Sequence, residues 1–404
     1  MLDQRTREIV KATAPVLREH GVALSRHFYA RMFEHNPELK PMFNQGHQRA
    51  GSQQQALAMA VAAYAENIDD PSVLAPVLER VIHKHASLGI RPEHYAIVGQ
   101  HLLASIREVL GAEAANEALI NAWAQAYGQL ADILIGLEQK LYQQATSQPG
   151  GWSGWRGFRV VSKVAESEEI TSFYLAPADG GPVPAYKPGQ YISVRVYVPE
   201  VGYQQPRQYS LSAAPGGEHL RISVKRESAA EARAAGLVSN TLHNRIHQGD
   251  VIDVAPPMGD FTLHTDRDTP VVLISGGVGT TPMVSMLDFL VSQQPARQVR
   301  FIHACRHGGV HAFRDHVAKV AGANPQVKAV IHYDSAPPQD AQGATQDRTG
   351  FIDLAGLRDT IQLPDADYYV CGPAPFMRQQ ISALGTLGIP ADRIHAEAFG
   401  TGGV

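Results

Sequence analysis

The sequence predicts a multidomain α + β + α/β chain, in which a helical domain precedes an antiparallel β domain and a parallel α/β domain. Residues 1–146 are rich in Ala, Leu, Gln and Glu, in stretches with helical periodicity. The Gly- and Ser-rich stretch 147–157 ends that pattern and predicts a linker. Short alternating segments then indicate an antiparallel barrel or sandwich over 158–265. Buried strands alternating with helices indicate a parallel sheet over 266–404.

Individual strands follow from these patterns. Those of the β domain alternate in polarity between Pro and Gly clusters, and those of the last domain are apolar runs typical of buried parallel strands. The predicted strands are 158–165, 189–198 and 220–227 in the β domain, and 269–277, 298–305, 328–334 and 367–372 in the last domain.

The composition excludes several classes of protein. A formal net charge of -4 over 404 residues gives no basic excess for nucleic acid or an anionic membrane. The two cysteines, Cys305 and Cys371, match no zinc spacing and make a disulfide framework improbable. The N-terminus lacks an apolar signal core, and the chain lacks an apolar run of about 18 residues that would span a membrane. We therefore expect a cytoplasmic protein with no nucleic-acid partner and no membrane span.

One histidine of the helical domain faces inward. In the helix predicted within 76–90, His85 follows Leu78 by seven residues and so continues its apolar stripe, whereas His83 lies off that face. An inward histidine is either a haem ligand or a core histidine with a satisfied hydrogen bond, and spacing alone favours the second interpretation.

A glutamate lies on or beside another apolar stripe. Glu138 stands four residues after Leu134 and three before Leu141 in the last long helix. One interpretation places it at the edge of the stripe, where it reaches water. The other makes it a buried partner of the second nitrogen of His85, because a buried carboxylate needs pairing. Tyr95 lies near the start of the helix predicted over 92–110.

Polar side chains also occur on the opposite side of the helical domain. The early helical stretch 27–40 contains Tyr29 and ends at a turn that leads to Phe43. The next helix carries Gln53 and Leu57, which are four residues apart and therefore on one face. Tyr29 and Gln53 either donate hydrogen bonds to a ligand or are a half-buried tyrosine and a surface glutamine.

Three short motifs of the β domain suit a flavin. RQYSLS, residues 207–212, combines a cation for a pyrophosphate, an aromatic face and a hydroxyl on one strand. PGQY at 188–191 precedes it, and GLVSNTLH at 236–243 offers a helix start for phosphate. Each motif is weak alone, and an ordinary edge strand would explain the first.

The α/β domain carries two glycine turns between strand and helix. ISGGVGTTPM, residues 274–283, suits the close approach of a diphosphate at a helix N-terminus, although Pro282 stands where a third glycine is usual. YYVCGPAPFM, residues 368–377, repeats the arrangement, and its Cys371 is otherwise a small buried hydrophobic residue. Arg306 follows the second strand of the domain and leaves the choice between NADH and NADPH open.

These residues together resemble a known family. Tyr29, Phe43, Gln53, Leu57, His85, Tyr95 and Glu138 occur in the order and spacing of a bacterial globin, and residues 84–103 are similar to the proximal region of flavohaemoglobins. The resemblance extends over essentially the whole chain. It implies a globin haem domain (1–146), a linker (147–157), an antiparallel FAD-binding β-barrel (158–265) and a ferredoxin-reductase-like NAD(P)-binding domain (266–404).

The resemblance also implies roles for single residues. His85 would bind the iron of haem b with Tyr95 and Glu138 as its proximal network, Tyr29 and Gln53 would act on the ligand, and Phe43, Leu57 and Lys84 would line the haem pocket. The implied FAD contacts are Tyr191, Arg207, Gln208, Tyr209, Ser210, Val238, Ser239, Glu397 and Phe399. The implied NAD(P) contacts are Gly276, Gly277, Val278, Gly279, Thr280, Thr281, Pro282, Cys371, Gly372 and Pro373.

The activity implied by the resemblance is that of a nitric oxide dioxygenase. It converts nitric oxide and O₂ to nitrate with electrons from NAD(P)H, and so protects against nitrosative stress. Alternatives on the same motifs are an NAD(P)H oxidase or flavin reductase with other acceptors, a haem-based sensor or carrier of O₂ or nitric oxide, and a protein that binds lipids or azole-like ligands in the distal pocket. A monomer is expected.

Two segments depart from the family pattern. Residues 227–240 are longer and richer in alanine than expected before the helix of the flavin domain. The ending GTGGV, residues 400–404, lacks the expected proline.

Overall fold

The first domain is helical, and capping residues in the sequence mark where its helices begin. The structure is a computed structural model that describes residues 2–44, 51–229, 234–334 and 348–399. Asp3 and Asn116 cap two helices by accepting hydrogen bonds from main-chain N–H groups. The helices are α1 (Gln4–Ala12), α2 (Ala14–His35), α3 (Ser52–Glu66), α4 (Ala75–Leu88), α5 (Pro92–Ala114) and α6 (Glu117–Ser147), with 3-10 turns at Pro37–Met42 and Pro71–Leu74.

The helical stretch predicted over 27–40 ends earlier than expected. Asn36 precedes Pro37, and a residue before proline is disfavoured in the α conformation. Its φ of -129° and ψ of 67° are not helical, and the chain continues as a 3-10 turn before Phe43. The helices enclose a core that includes Phe28, Met32 and Trp123.

The second domain is a closed antiparallel sheet. In the described residues the strand order is β4-β3-β6-β1-β2-β5. A bridge between Leu211 and Ile222 joins the two ends of that order, so the sheet is a barrel rather than a sandwich. Its elements are β1 (Arg156–Ala165), β2 (Ile170–Pro177), β3 (Tyr191–Val198), β4 (Tyr203–Ser210), β5 (Leu220–Lys225), α7 (Leu237–Arg245) and β6 (Val251–Val254).

The third domain is built on a parallel sheet. The described strands have the order β10-β9-β8-β7-β11-β12, so the chain leaves β7 in one direction and later returns on its other side at β11. A crevice at the carboxyl ends of β7 and β11 is therefore the expected place for a ligand. The elements are β7 (Val271–Gly276), α8 (Thr280–Gln293), β8 (Val299–Cys305), α9 (Arg314–Ala323), β9 (Val327–Tyr333), β10 (Arg348–Thr349), α10 (Arg358–Ile361), β11 (Asp367–Gly372), α11 (Ala374–Thr386) and β12 (Ile394–Ala398).

Hydrogen bonds join the domains. Gly259 N–H of the barrel donates to His83 Nδ1 of α4 at 3.1 Å, and Ser285 Oγ of α8 donates to the barrel carbonyl of Ala213 at 2.6 Å. Residues 148–155 connect α6 to β1. No helix in the described ranges is long and apolar enough to cross a membrane. The Ala-rich residues 230–233 and the ending 400–404 lie outside the described residues.

A buried histidine pair makes the stability of the third domain sensitive to acid. The rings of His303 and His311 stack with centroids 5.0 Å apart, and His311 Nδ1 lies 2.9 Å from the Tyr333 hydroxyl. Burial, with a smaller contribution from Arg314, lowers the pKa of His311 from 6.5 to about 4. Burial also lowers the pKa of His303 well below its usual value.

We predict that acidification destabilises this domain. The unfolded chain binds more protons at these positions as the pH falls from about 6.5 towards 4, so stability decreases over that window, by up to about 3 kcal/mol for His311. The substitution His311→Gln should reduce this pH dependence, as measured by hydrogen exchange of the β8 amides. The helical domain of the same sample is the control. An identical pH dependence of β8 exchange in the native protein and in the His311→Gln variant would contradict the prediction.

Candidate functional site

The proximal histidine network is assembled by three helices. His85 Nδ1 on α4 lies 2.8 Å from Glu138 Oε1 on α6 and 3.0 Å from the Tyr95 hydroxyl on α5. The Tyr95 hydroxyl donates to the same carboxylate oxygen at 2.5 Å. With Nδ1–H donated to Glu138, the lone pair of Nε2 is the one that a metal can accept.

The burial of Glu138 decides between the two interpretations of its position. Its side chain is only 3% exposed, so it does not reach water from the edge of the stripe. Burial and the contact with Glu138 raise the pKa of Tyr95, which keeps its proton and donates it to the carboxylate. A buried carboxylate with two such partners is the arrangement that orients a metal-binding histidine.

A tyrosine of α6, which the sequence analysis did not single out, positions this network. The Tyr127 hydroxyl donates to the main-chain oxygen of Tyr95 at 2.6 Å. Its ring occupies the space where a Cβ at Gly99 would approach it to 2.5 Å. Eleven residues separate Tyr127 from Glu138, which is about three helical turns and one face of α6. That spacing was the available signal.

The distal residues also lie together. A hydrogen bond joins the side chains of Tyr29 and Gln53, and burial raises the pKa of Tyr29. Phe43 packs edge-on against the ring of Tyr29 with centroids 5.7 Å apart. Leu57 is partly buried against the same core. Tyr29 thus keeps its proton in an apolar setting, with Gln53 holding its hydroxyl.

These side chains fit a haem. The donor set offers one imidazole nitrogen for iron on α4, with a carboxylate behind it, and a protonated phenol paired with an amide on α2 and α3. Imidazole with a hydrogen-bonded second nitrogen is the usual proximal ligand of globin iron.

Helix α4 also contacts the barrel through the residues around His85. Burial lowers the pKa of Lys84, and the positive charge of Arg207 lowers it further. A hydrogen bond joins Tyr191 of β3 to Ser87 of α4. The predicted flavin motifs therefore lie against the helix that carries the predicted iron ligand.

The barrel residues fit a flavin. Tyr191 and Ser210 are paired across β3 and β4. Burial raises the pKa of both Tyr191 and Tyr209 and lowers the pKa of Arg207. Ser210 Oγ is buried and, within the described part of the chain, has no hydrogen-bond partner. A buried hydroxyl of this kind suits a ligand rich in nitrogen and oxygen, such as an isoalloxazine ring.

Three other predicted flavin contacts are engaged within the protein. Gln208 Nε2 donates to Ser193 Oγ on the neighbouring strand at 3.1 Å. The Val238 side chain is buried in the barrel core, so only its main-chain N–H remains for a phosphate at the start of α7. Ser239 Oγ donates to the Gly236 carbonyl at 3.2 Å. The first turn of α7 has no side-chain cap, which suits an anion.

The carboxylate of Glu397 is brought to this site by the third domain. Glu397 on β12 is paired with Cys371 on β11. Burial, reinforced by Asp260, raises the pKa of Glu397 to about 8. Its Oε2 is buried without a hydrogen-bond partner among the described residues. Phe399 follows β12 and is 47% exposed.

The nucleotide turn is shaped by close contact between strands. Gly277 has a φ of 55°, and a Cβ at Gly279 would lie 2.2 Å from the Cys371 main-chain oxygen. Thr280, Thr281 and Pro282 are buried in the first turn of α8, next to Val278. Burial raises the pKa of Cys371, which is therefore a neutral thiol. Gly276 ends β7, and Gly372 and Pro373 lead from β11 into α11.

The fold and these sites define a class of protein. In this class a globin-like domain is joined to a reductase module of the type that binds a flavin and a nucleotide. Residues 26–134 match the model of the globin family, and residues 273–381 match that of the oxidoreductase NAD-binding domain.

Known proteins extend the comparison to the full chain. The chain is 64% identical to a flavohemoprotein of Bordetella parapertussis over 100% of both chains. It is 61% identical to one of Chromobacterium violaceum over 99% of both. The crystal structure of a flavohemoglobin from Malassezia yamatoensis with bound FAD and heme is 30% identical, with a TM-score of 0.85 over 99% of this chain and 100% of that one.

A reductase fragment gives a shorter match. The FAD/NAD binding domain of a nitric oxide dioxygenase from Vibrio cholerae is 40% identical, with a TM-score of 0.55 over 61% of this chain and 98% of that one. The chain belongs to the flavohemoprotein family. The predicted family and three-part fold class are confirmed, whereas the domain boundaries and the roles of single residues stay predictions.

We predict that Gly279→Ala disrupts the nucleotide turn. The new Cβ meets main-chain atoms that cannot rotate away, so the free energy of unfolding should fall by about 1–3 kcal/mol, and binding of 5′-AMP should weaken. Gly322→Ala is the control, because a Cβ there meets nothing within 4 Å. Thermal unfolding and calorimetric titration of both variants would check this. Equal behaviour of the two variants would contradict it.

Proposed function

We propose that this protein is a nitric oxide dioxygenase that contains haem b and FAD and uses NAD(P)H. The observation that carries the proposal is the double role of α4. One part of this helix presents His85 to the Glu138 network. Ser87 of the same helix is hydrogen-bonded to Tyr191, and Lys84 interacts electrostatically with Arg207 of the flavin motifs. The chain thus couples a globin-type metal site to a reductase over a short path.

The resident groups supply the redox chemistry. When bound, NAD(P)H would supply a hydride to FAD, and FAD would supply single electrons to haem b, one for each nitric oxide that reacts with O₂ to give nitrate. The residues of the chain bind these groups, orient them and stabilise charge.

On the proximal side, Glu138 accepts a hydrogen bond from His85 Nδ1–H and thereby orients the imidazole. A carboxylate that accepts Nδ1–H makes Nε2 a stronger donor to iron. Tyr95 donates to the same oxygen at 2.5 Å, which holds the carboxylate in place.

On the distal side, Tyr29 is a hydrogen-bond donor that keeps its proton. Burial raises its pKa, and Gln53 fixes the direction of the hydroxyl. Such a donor stabilises negative charge on a ligand at the iron, because an aligned donor in an apolar pocket needs no reorganisation.

In the reductase half, Arg207 and the free N–H groups at the start of α7 suit the pyrophosphate of FAD. Ser210 Oγ and Glu397 Oε2 supply buried polar atoms for its ring. The turn 276–282 suits the diphosphate of the nicotinamide nucleotide at the start of α8. The Cys371 thiol, which is buried and protonated, offers a neutral surface beside the Glu397 carboxyl rather than a nucleophile.

The proposed setting is the cytoplasm, with O₂ and nitric oxide as small-molecule partners and a monomer as the working unit. Support comes from the two cysteines, which are both buried and free. Binding of a lipid or an azole-like ligand in the distal pocket is a separate proposal, and competition with O₂ binding would test it.

We predict that Glu138→Gln leaves haem bound but lowers the turnover of nitric oxide by about tenfold to a hundredfold, the range usual for loss of a carboxylate behind a metal-bound histidine. The neutral amide still accepts a hydrogen bond from Nδ1–H but no longer places a negative charge behind the imidazole. Nitrate production and the iron–histidine stretching frequency measure the effect. Tyr142→Phe is the control, because the Tyr142 hydroxyl donates to the Ile90 carbonyl instead. Unchanged turnover in the Gln variant would remove Glu138 from the mechanism.

We predict that Tyr29→Phe speeds the dissociation of O₂ by about tenfold, because the ligand loses one hydrogen bond of about 1.4 kcal/mol. Flash photolysis or stopped-flow mixing of the ferrous protein gives the rate. Tyr64→Phe is the matched control, since the buried Tyr64 hydroxyl donates to the Ala126 carbonyl of the same domain. An off-rate equal to that of the native protein would exclude a bond from Tyr29 to the ligand.

The deciding experiment follows nitric oxide at an electrode under air, with NADH and with protein loaded with haem and FAD. Rapid catalytic loss with equivalent nitrate, abolished by His85→Ala, would support the proposed function. Slow loss of nitric oxide with fast NADH oxidation to peroxide would overturn it in favour of an NAD(P)H oxidase.

A further inference from the structure

An ion pair crosses from the barrel to the nucleotide domain at the end of β8. Arg306 directly follows β8, and its Nη2 donates to Glu169 Oε2 of the β1–β2 turn at 2.6 Å. The Arg306 side chain is 59% exposed, whereas that of Glu169 is 21% exposed. The arginine therefore reaches into solvent at the carboxyl edge of the sheet, and a fixed carboxylate from another domain meets it there.

The β1–β2 turn is seated on the loop that follows β8. Glu168 N–H donates to the Gly309 carbonyl at 2.9 Å. A Cβ at Gly309 would lie 2.0 Å from Glu168 Oε1, so the side chain of Glu168 lies directly on that glycine. Arg226 N–H donates to the Glu169 carbonyl at 2.7 Å. These contacts hold the carboxylate of Glu169 at the end of β8.

Charges of both signs lie near this ion pair. Asp334 follows β9, and its N–H donates to the Cys305 carbonyl at 3.0 Å, next to Arg306. Lys225 Nζ lies at 3.9 Å from Glu169 and at the same distance from Glu227. A further anion brought to Arg306 would meet the carboxylate of Glu169, which is paired with this arginine, and that of Asp334, which interacts with it electrostatically.

The position of Arg306 relative to the nucleotide turn gives this ion pair a role. In sheets of this topology, the residue after the second strand contacts the 2′ position of the adenosine ribose. An arginine there attracts a 2′-phosphate, and a carboxylate accepts a hydrogen bond from a 2′-hydroxyl.

We propose that Glu169 selects NADH over NADPH by neutralising Arg306 from across the domain boundary. The carboxylate accepts a hydrogen bond from the ribose hydroxyl of NADH and repels the 2′-phosphate of NADPH. This proposal rests on the reductase part of the proposed function. The selecting acidic residue is then not in the nucleotide domain at all, and it belongs to a turn of the flavin barrel.

The test compares 2′,5′-ADP with 5′-AMP on the full-length protein by calorimetry. Glu169→Gln removes the charge but retains an oxygen that accepts from Arg306, so the fold should persist. This variant should bind 2′,5′-ADP about tenfold more tightly, the effect of roughly one screened charge contact, with little change for 5′-AMP. The rate of flavin reduction by NADPH should rise in parallel. Glu200→Gln is the control, because Glu200 faces Arg245 instead.

A second substitution separates the two members of the pair. Arg306→Gln in the Glu169→Gln background should abolish the gain in 2′,5′-ADP affinity, and in the native background it should change that affinity little. An unchanged ratio of the affinities for 2′,5′-ADP and 5′-AMP in Glu169→Gln would overturn the proposal. A large loss of 2′,5′-ADP affinity in Arg306→Gln alone would also overturn it, since Arg306 would then already bind the 2′-phosphate in the native protein. Nucleotide binding needs no nitric oxide, so failure of the dioxygenase activity would be seen separately.

Discussion

The buried carboxylate of Glu138 is the constraint on which the haem-side geometry depends. A carboxylate that is 3% exposed is stable only if it is paired and hydrogen-bonded. Its partners are His85 and Tyr95, each from a different helix. The need to satisfy one charge therefore sets the relative positions of α4, α5 and α6, and Tyr127 fixes α5 further by its hydrogen bond to the Tyr95 carbonyl.

Helix α4 links the proximal network to the reductase, because residues of this helix are also hydrogen-bonded to the barrel. His83 and Ser87 are hydrogen-bonded to the barrel, while His85 between them faces the proximal network. The two faces of one rigid element thus hold the predicted iron ligand and the predicted flavin motifs at a constant separation. Sites held on rigid elements are positioned more precisely than sites on loops, so the separation of these two predicted sites is set by α4.

In the reductase half, close main-chain packing rather than a buried charge fixes the positions of neighbouring elements. The turn at Gly279 lies so near the main chain of Cys371 that a Cβ at Gly279 would come within 2.2 Å of the Cys371 oxygen. Across the same edge, the barrel turn with Glu169 closes on the end of β8. The predicted nucleotide turn therefore lies at an edge of the sheet where the barrel and the third domain are in contact.

The sequence by itself determined the order of the three domains, the strand at 367–372, the inward direction of His85 and the glycine turn at 276–279, because periodicity and turn chemistry are local. It left the position of Glu138 undecided and identified no carboxylate partner for Arg306. Glu169 and Arg306 are 137 residues apart, and His85 and Glu138 are 53 apart. Only the tertiary structure decided these contacts, since they depend on how helices and domains pack and not on spacing along the chain.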